Sequence, residues 1–433
     1  MIRKFVNSKF KKDLSFSYIT QALTIIFGFA QLFLINKYFG VNVYGQLAII
    51  ISTAGIFSSL LTARSSEAVT RFFKREELNK KFENAKFVLF VGLGIDFITA
   101  ILLVMLIYSL SHFIADTFLK DNTLSHEIII YSFITFITFL KGSIMGYMQS
   151  KGMFVQINII NIIESAAKIL FLVLFIFILN KLFLIDIIYV FLISSIVSFL
   201  YTISIFLKSY IVEYKSVLLK FNKPLLKEYW SFNIKTFLSS SLKAGNENID
   251  NMLIAYFLNA QIVGIYQIIK KILLPISMLS MPFSMLIYPR LIHFFETEQK
   301  EKFKNIIIKI STYILLIGIL YSLFAYVLLD NIFALMVVEF NETYSYYYIL
   351  IAVTSIITSS LLWWVRIFSN TVNPSYSLYM NLFATFYQLT ITIYMTKIFA
   401  LEGLLISFMI MNILIFIYWI KKGQEYVYIQ KDI

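Results

Sequence analysis

The sequence predicts an all-α polytopic membrane protein of about twelve transmembrane helices in two six-helix lobes. Three observations predict it. Of 433 residues 59% are hydrophobic and only 14% charged, with mean hydropathy +0.80, whereas soluble domains carry roughly a quarter charged residues. Apolar runs recur along nearly the whole chain at the about twenty residues a helix needs to cross the hydrocarbon core. Nothing shows the ten-residue alternation of a β-barrel strand.

The elements follow in order. Met1 to Asp13 is basic, and the apolar stretch behind it is too long for a signal-peptide core and lacks a small-x-small cleavage site. It reads as a lipid-surface helix, with Phe5 and Phe10 dipping into headgroups. Six spans are expected at 16–39, 44–70, 85–109, 126–148, 155–179 and 185–207, and six more at 230–257, 263–288, 304–328, 346–368, 375–398 and 402–420. Turn signals separate them: Gly40, Asn42 and Gly45; Lys151-Gly152; Asn180-Lys181; Asn373-Pro374. The lobes are expected at 1–207 and 230–433, joined by a basic linker at 208–229 whose helicity Pro224 helps to break.

Sidedness follows from Lys and Arg. With the N-terminus cytoplasmic, inner segments hold 25 cations and outer loops only Lys37, Lys120, Lys181 and Lys397. Both termini are therefore expected in the cytoplasm. This asymmetry, rather than nucleic-acid binding, accounts for the formal charge of +13. There is no Cys, and His112, His126 and His293 lie far apart near loops, so no disulfide, thiolate or clustered metal site is expected. The stretch Ile35–Gly45 runs parallel to Ile254–Gly264, 219 residues later, and the same offset carries Arg71 onto Arg290. Six spans is an even number, so a duplication gives parallel repeats about an axis along the membrane normal.

Eight cations remain inside the predicted spans: Arg64, Lys141, Lys168, Lys235, Lys243, Lys270, Lys271 and Arg366. The embedded acids are Glu67, Asp96, Glu164, Glu247, Asp250 and Glu402. Each ionised group at mid-bilayer costs roughly 2.5–3.5 kcal/mol on insertion scales, so most must face one another or an internal cavity. Pairing on one helix face suits Arg64/Glu67, Glu164/Lys168 and Lys243/Glu247. Depth suits a second role: Arg64, Lys141, Lys235 and Arg366 crowd the cytoplasmic third against Glu67 alone, a vestibule that attracts an anion. Lys168, Lys243 and Lys270 extend that cationic path. Asp96, mid-span with no basic neighbour one helical turn away, is the leading coupling carboxylate, with Asp250 and Glu247 behind it. The eighth span carries Pro275, Pro282 and Pro289 at heptad spacing. Each frees a carbonyl that lipid cannot satisfy, and Pro275 and Pro282 mark a bending gate helix.

The order of these features resembles the polysaccharide-exporter branch (Wzx-type O-antigen flippases) of the multidrug/oligosaccharidyl-lipid/polysaccharide (MOP, MATE-like) exporter superfamily. The resemblance rests on Lys37-Tyr38-Phe39-Gly40 with Tyr44-Gly45, on Arg64 and Arg71-Phe72, on Gly142 and Gly146-Tyr147 leading to Lys151-Gly152, and on Val263-Gly264. It implies a cationic central cavity and alternating-access transport of undecaprenyl-pyrophosphate-linked oligosaccharide repeat units for O-antigen, capsule or another surface polysaccharide. It also implies a bacterial inner-membrane location, an H+ or Na+ coupling ion and no other cofactor. Partners would be the lipid-linked oligosaccharide, membrane lipids and polysaccharide polymerase or ligase machinery, with no nucleic acid. One departure is that the first span has no charge before Lys37, so any family site there is absent. A multidrug cation extruder of the same fold is the chief alternative, but a cationic vestibule would repel its substrates. A membrane-embedded polymerase or ligase would need an outer catalytic site. The acids of the longest outer connections (Asp116, Asp121, Glu127, Asp330, Glu339, Glu342) show no nucleophile–base pattern, so no catalytic residue is expected.

Overall fold

The computed structural model describes residues 8–62, 65–179, 181–278, 299–372 and 375–428, together with Phe294 and Thr297. Within these, side chains at 8–15, 17–18, 235–247, 362, 366–375, 377–378 and 424–428 are not described. The described backbone is helical almost throughout, in keeping with the apolar runs, because lipid leaves backbone polar groups no partner except their own helix.

The first compact unit comprises residues 1–252. Its helices are α1 (Ser8–Phe39), α2 (Val41–Leu61), α3 (Ser65–Leu78), α4 (Phe82–Ile114), α5 (Ser125–Ser150), α6 (Phe154–Ile178), α7 (Leu184–Tyr214) and most of α8 (Lys223–Phe257). A π-helical turn, Ala115–Leu119, prolongs α4. Two helix ends show why the turn signals work. Gly40 has φ 85°, so the chain passes from α1 to α2 across one residue that a side chain would strain. Gly152 has φ 69°, with Met153 N–H donating to Met148 O at 2.9 Å and Gly152 N–H to Gln149 O at 3.0 Å, a Schellman ending of α5.

One predicted span is divided. The stretch 44–70 is not continuous helix: α2 stops at Leu61, Thr62 is extended (ψ 111°), and α3 begins at Ser65. Hydroxyls cluster at this end of α2. Ser58, Ser59 and Thr62 donate to the carbonyls of Ala54, Ile56 and Ser58 at 2.6–2.7 Å, competing with the backbone ladder. The released α3 buries Ala68, Val69, Phe72 and Phe73 against α4, α5 and α7, and Tyr147 and Tyr214 complete this core.

The second unit comprises residues 253–433. Its described helices are α9 (Ala260–Met278), α10 (Lys300–Val327), α11 (Leu329–Leu335), α12 (Glu342–Val372), α13 (Ser375–Tyr387) and α14 (Ile393–Tyr428), with a π turn at Gln388–Thr392. The long α12 packs against α9, α10 and α14. Trp363 donates to Ser311 Oγ at 3.1 Å, and that hydroxyl donates to Ser360 O at 2.9 Å.

Among the described residues ten helices are long and apolar enough to cross a membrane. The last of them, Tyr379–Gly423, covers 45 residues and breaks at Phe399 and Ala400, where φ reaches 51°. The chain reverses there, and Thr392 meets Ser407 at 2.8 Å. Gly403 permits the reversal, because a Cβ would stand 2.1 Å from Met395 O. These are the expected eleventh and twelfth passes. The expected seventh is α8, whose 35 residues are long enough but too polar to count by composition. The protein is a multi-pass α-helical membrane protein.

Candidate functional site

The sequence singled out embedded charges, and the first unit brings several together. Lys141 on α5 is buried, with its Nζ 2.8 Å from Glu164 Oε2 on α6 and 3.0 Å from Ser198 Oγ on α7. Glu164 Oε1 receives Lys168 Nζ at 3.0 Å, the i,i+4 pair expected from spacing. Lys168 Nζ also lies 5.2 Å from the Phe191 ring centre. One carboxylate between two ammoniums leaves a net single positive charge on three packed helices. Breaking such a pair strands a charge in low dielectric, so the cluster fixes these helices whatever else it does.

Asp96 sits elsewhere, on the face of α4 that meets α5. It is buried, and its Oδ2 accepts a hydrogen bond from the Ser143 backbone N–H at 2.6 Å. Gly142 makes the approach feasible, since a Cβ there would stand 3.0 Å from Oδ2. One turn later Gly146 lets α3 approach, where a Cβ would lie 2.5 Å from Ser66 O. Small residues four apart serve such close helix crossings in membranes.

Asp96 also lines a cavity of about 550 Å³ among α2, α3, α4 and α5, with Glu67, Gln149 and eight hydroxyl side chains. Five hydroxyls already donate to their own helices: Ser58, Ser59 and Thr62 as above, Thr99 to Ile95 O at 2.8 Å and Thr138 to Ile134 O at 2.9 Å. Their oxygens therefore offer lone pairs to the cavity. With two carboxylates and no cation among its described lining residues, the cavity is rich in acceptors. Such a lining suits a proton, a small cation or the donor hydroxyls of a sugar.

The remaining candidates are dispersed. Asp250, buried on α8, accepts from the Asn251 backbone N–H at 2.8 Å, and Asn251 donates to Ser52 Oγ on α2 at 2.6 Å. Lys270, on α9 in the second unit, lines a cavity of about 230 Å³ with Ser277, Thr354 and Ser355, its Nζ 5.0 Å from the Tyr266 ring centre. Pro275 lies inside α9, and beside it Tyr321 of α10 donates to Ile272 O at 2.8 Å. Arg64 and Pro282 fall outside the described residues, as do the side chains of Lys235, Lys243, Glu247 and Arg366.

The model of the family described as "Polysaccharide biosynthesis protein" matches residues 10–295. The chain belongs to that family. No curated protein sequence matches it. Among solved structures, it is similar to an inward-facing multidrug resistance MATE family transporter of the MOP superfamily (TM-score 0.71, 13% identity, covering 95% of this chain and 98% of that one). The MATE multidrug transporter DinF-BH gives TM-score 0.62 at 16% identity, with coverage of 97% and 96%. A MOP superfamily transporter from Pyrococcus furiosus, described as having a binding pocket of reverse polarity, gives 0.56 at 14%, with 96% and 93%. At such identities the likeness is one of fold.

In this member of the polysaccharide biosynthesis family, motif residues without an assigned role in the sequence find one at the end of the first unit. Lys151 stands between Glu77 and Glu213, with Phe73, Tyr147 and Tyr214 around its ammonium. Lys74 pairs with Glu77 at 3.0 Å, and Tyr214 donates to it at 3.2 Å. Burial tends to raise the Glu77 pKa, but the Lys151 and Lys74 hydrogen bonds outweigh it and hold the carboxyl below its ordinary value. Arg75 grips Glu228 through two bonds of 2.6 and 2.9 Å, which lowers the Glu228 pKa. Sequence reading missed this network because its members are distant in the chain. The acceptor-rich cavity went unseen because hydroxyls do not stand out among apolar residues.

Proposed function

We propose that the protein moves undecaprenyl-pyrophosphate-linked oligosaccharide repeat units from the cytoplasmic to the outer leaflet of a bacterial inner membrane, by alternating access between lobes near 1–207 and 230–433. The observation that carries this reading is membership of a polysaccharide biosynthesis family on a transporter fold. The anion would be held by the cationic set (Arg64, Lys141, Lys168, Lys235, Lys243, Lys270, Arg366). Lys141 and Lys168 share one carboxylate, so their cluster keeps a positive charge to offer. Asp96 is the coupling group: a buried carboxylate in an acceptor-lined cavity takes up a proton or sodium ion when the cavity opens to one side. Such uptake drives a cycle only if the two conformations bind the ion unequally. Bending at Pro275 and Pro282 supplies the gate.

Extrusion of organic cations is the rival reading, and the two carboxylates of the same cavity favour it. Reconstituted vesicles separate the two. A fluorescent polyprenyl-pyrophosphate oligosaccharide should become accessible on the opposite leaflet at a protein-dependent rate, while rhodamine-type cations should not compete. Cation efflux with no movement of the lipid-linked sugar would overturn the proposal.

A further inference from the structure

Away from the cavities, an exposed surface of the first unit carries more unpaired charge than its structural role needs. The turn after α3 and the non-helical segment between α7 and α8 enclose a recess of about 450 Å³, lined by Lys80, Lys81 and Lys220 with Glu83 as its acid. Beside it, Lys223 and Lys227 border a second, more open recess of about 600 Å³ with Trp230 and Ile234. All five lysines are exposed, and none has an ion-pair partner among the described residues.

Large apolar side chains are interleaved with these charges. Leu218 is 75% exposed, Phe221 67% and Trp230 44%, with Leu219 beside them. The segment is nonetheless held firmly. Lys86 of α4 donates to Tyr214 O at 3.3 Å and to Val217 O at 2.6 Å, Asn222 donates to Asn84 Oδ1 at 3.1 Å, and Phe221 meets Phe87 edge-on. A tethered backbone thus presents apolar side chains outward between lysines. In water this is unfavourable; at a lipid surface the apolar groups enter the acyl boundary while ammoniums stay among headgroups.

We propose that residues 215–234 and the α3–α4 turn form a docking surface for anionic phospholipid headgroups, with Lys80, Lys81 and Lys220 around the phosphate and Trp230 in the interface. Charge complementarity selects this occupant, since five lysines against the single carboxylate of Glu83 in the two recess linings favour an anionic over a zwitterionic headgroup. The docked lipids fix the entrance of α8, the helix that continues from the first unit into the second.

The test uses the full-length protein in nanodiscs containing either brominated phosphatidylglycerol or brominated phosphatidylcholine, without any polyprenyl substrate. The signal is Trp230 emission, taken as wild type minus Trp230→Phe. Phosphatidylglycerol should quench it more strongly, and the excess should fall as salt rises from about 0.05 to about 0.5 M. Replacing single lysines by Gln should lower the phosphatidylglycerol preference by on the order of fivefold each. K80Q/K81Q/K220Q/K223Q/K227Q should abolish it. Equal quenching by both lipids, a preference indifferent to salt, or a preference retained by the five-lysine variant would each overturn the proposal. None of these outcomes bears on whether lipid-linked sugars are flipped.

Discussion

Asp96 is tied to α5 through the Ser143 N–H and also lines the cavity. A structural anchor and a coupling group make different demands on that carboxyl, so substitutions can divide the roles. Asp96→Asn keeps the size and an acceptor oxygen for Ser143 but loses the charge. Lipid-carrier binding should survive, while transport driven by an imposed pH step in vesicles should stop. Full response to the pH step would remove Asp96 from the mechanism. A purely structural role would instead lower protein yield at unchanged turnover per molecule. Gly142→Ala perturbs the anchor while keeping the carboxyl, since its Cβ, 3.0 Å from Oδ2, makes that group give by a few tenths of an ångström. A strained bond to Ser143 N–H should appear as a lower Tm in detergent, with a cost below the about 1.5–3 kcal/mol of a hydrogen bond lost outright to a charged group.

At the scale of elements, the ends of α3, α5 and α7 are joined by Lys151 with Glu77 and Glu213. The sign of the pH dependence follows from the shifts. Glu77 is depressed below its ordinary value near 4.5, so its stabilisation is complete above that pH and lost as pH falls through the lower folded value. Lys151 is desolvated, but its bonds to Glu213 and Glu77 raise it above its ordinary value near 10.5, so its contribution is present below that pH and lost above the folded value. This network should therefore leave Tm flat between about pH 5 and about pH 10, with a decline on the acid side. Lys151→Gln should lower the plateau by about 1.5–3 kcal/mol and shrink the acid-side decline, as measured by thermal melts across pH. An acid-side decline of unchanged size would show that Glu77 is not held by Lys151. The apolar runs made the spans legible because length and hydropathy decide membrane crossing. Glu164/Lys168 was legible because i,i+4 spacing fixes a shared face. The break at Thr62 was not, since a few hydroxyls bonding back to their helix carry no periodic signature. The Lys151 network was not, because its partners come from three helices.

At the scale of the molecule, the remaining question is which way the chain is threaded. Sequence assigns the basic segments after the second, fourth and sixth spans to one side. Within the first unit those segments meet: Lys151 follows α5, Glu77 precedes the α3–α4 turn, Glu213 ends α7, and Asn222 touches Asn84. A single end of the unit therefore gathers three alternate connections, as an up-and-down path of helices requires. Contact geometry fixes that they share a side, and the positive-inside rule says which. Removing an inner lysine here or there should not invert the chain, because the bias is 25 cations against 4. Reporter fusions at Asn79, Lys151, Asn222, Lys300 and Asn373 should accordingly read cytoplasmic, and those at Asn122, Lys181, Ala260 and Asn341 external. The pair Asn222 and Ala260 is the sharpest, because only α8 lies between them and its polar composition falls short of an ordinary span. If both read cytoplasmic, α8 does not cross, the second half inverts, and parallel repeats are excluded. If they read on opposite sides, its charged residues are carried through the bilayer, where they must face protein or water rather than lipid.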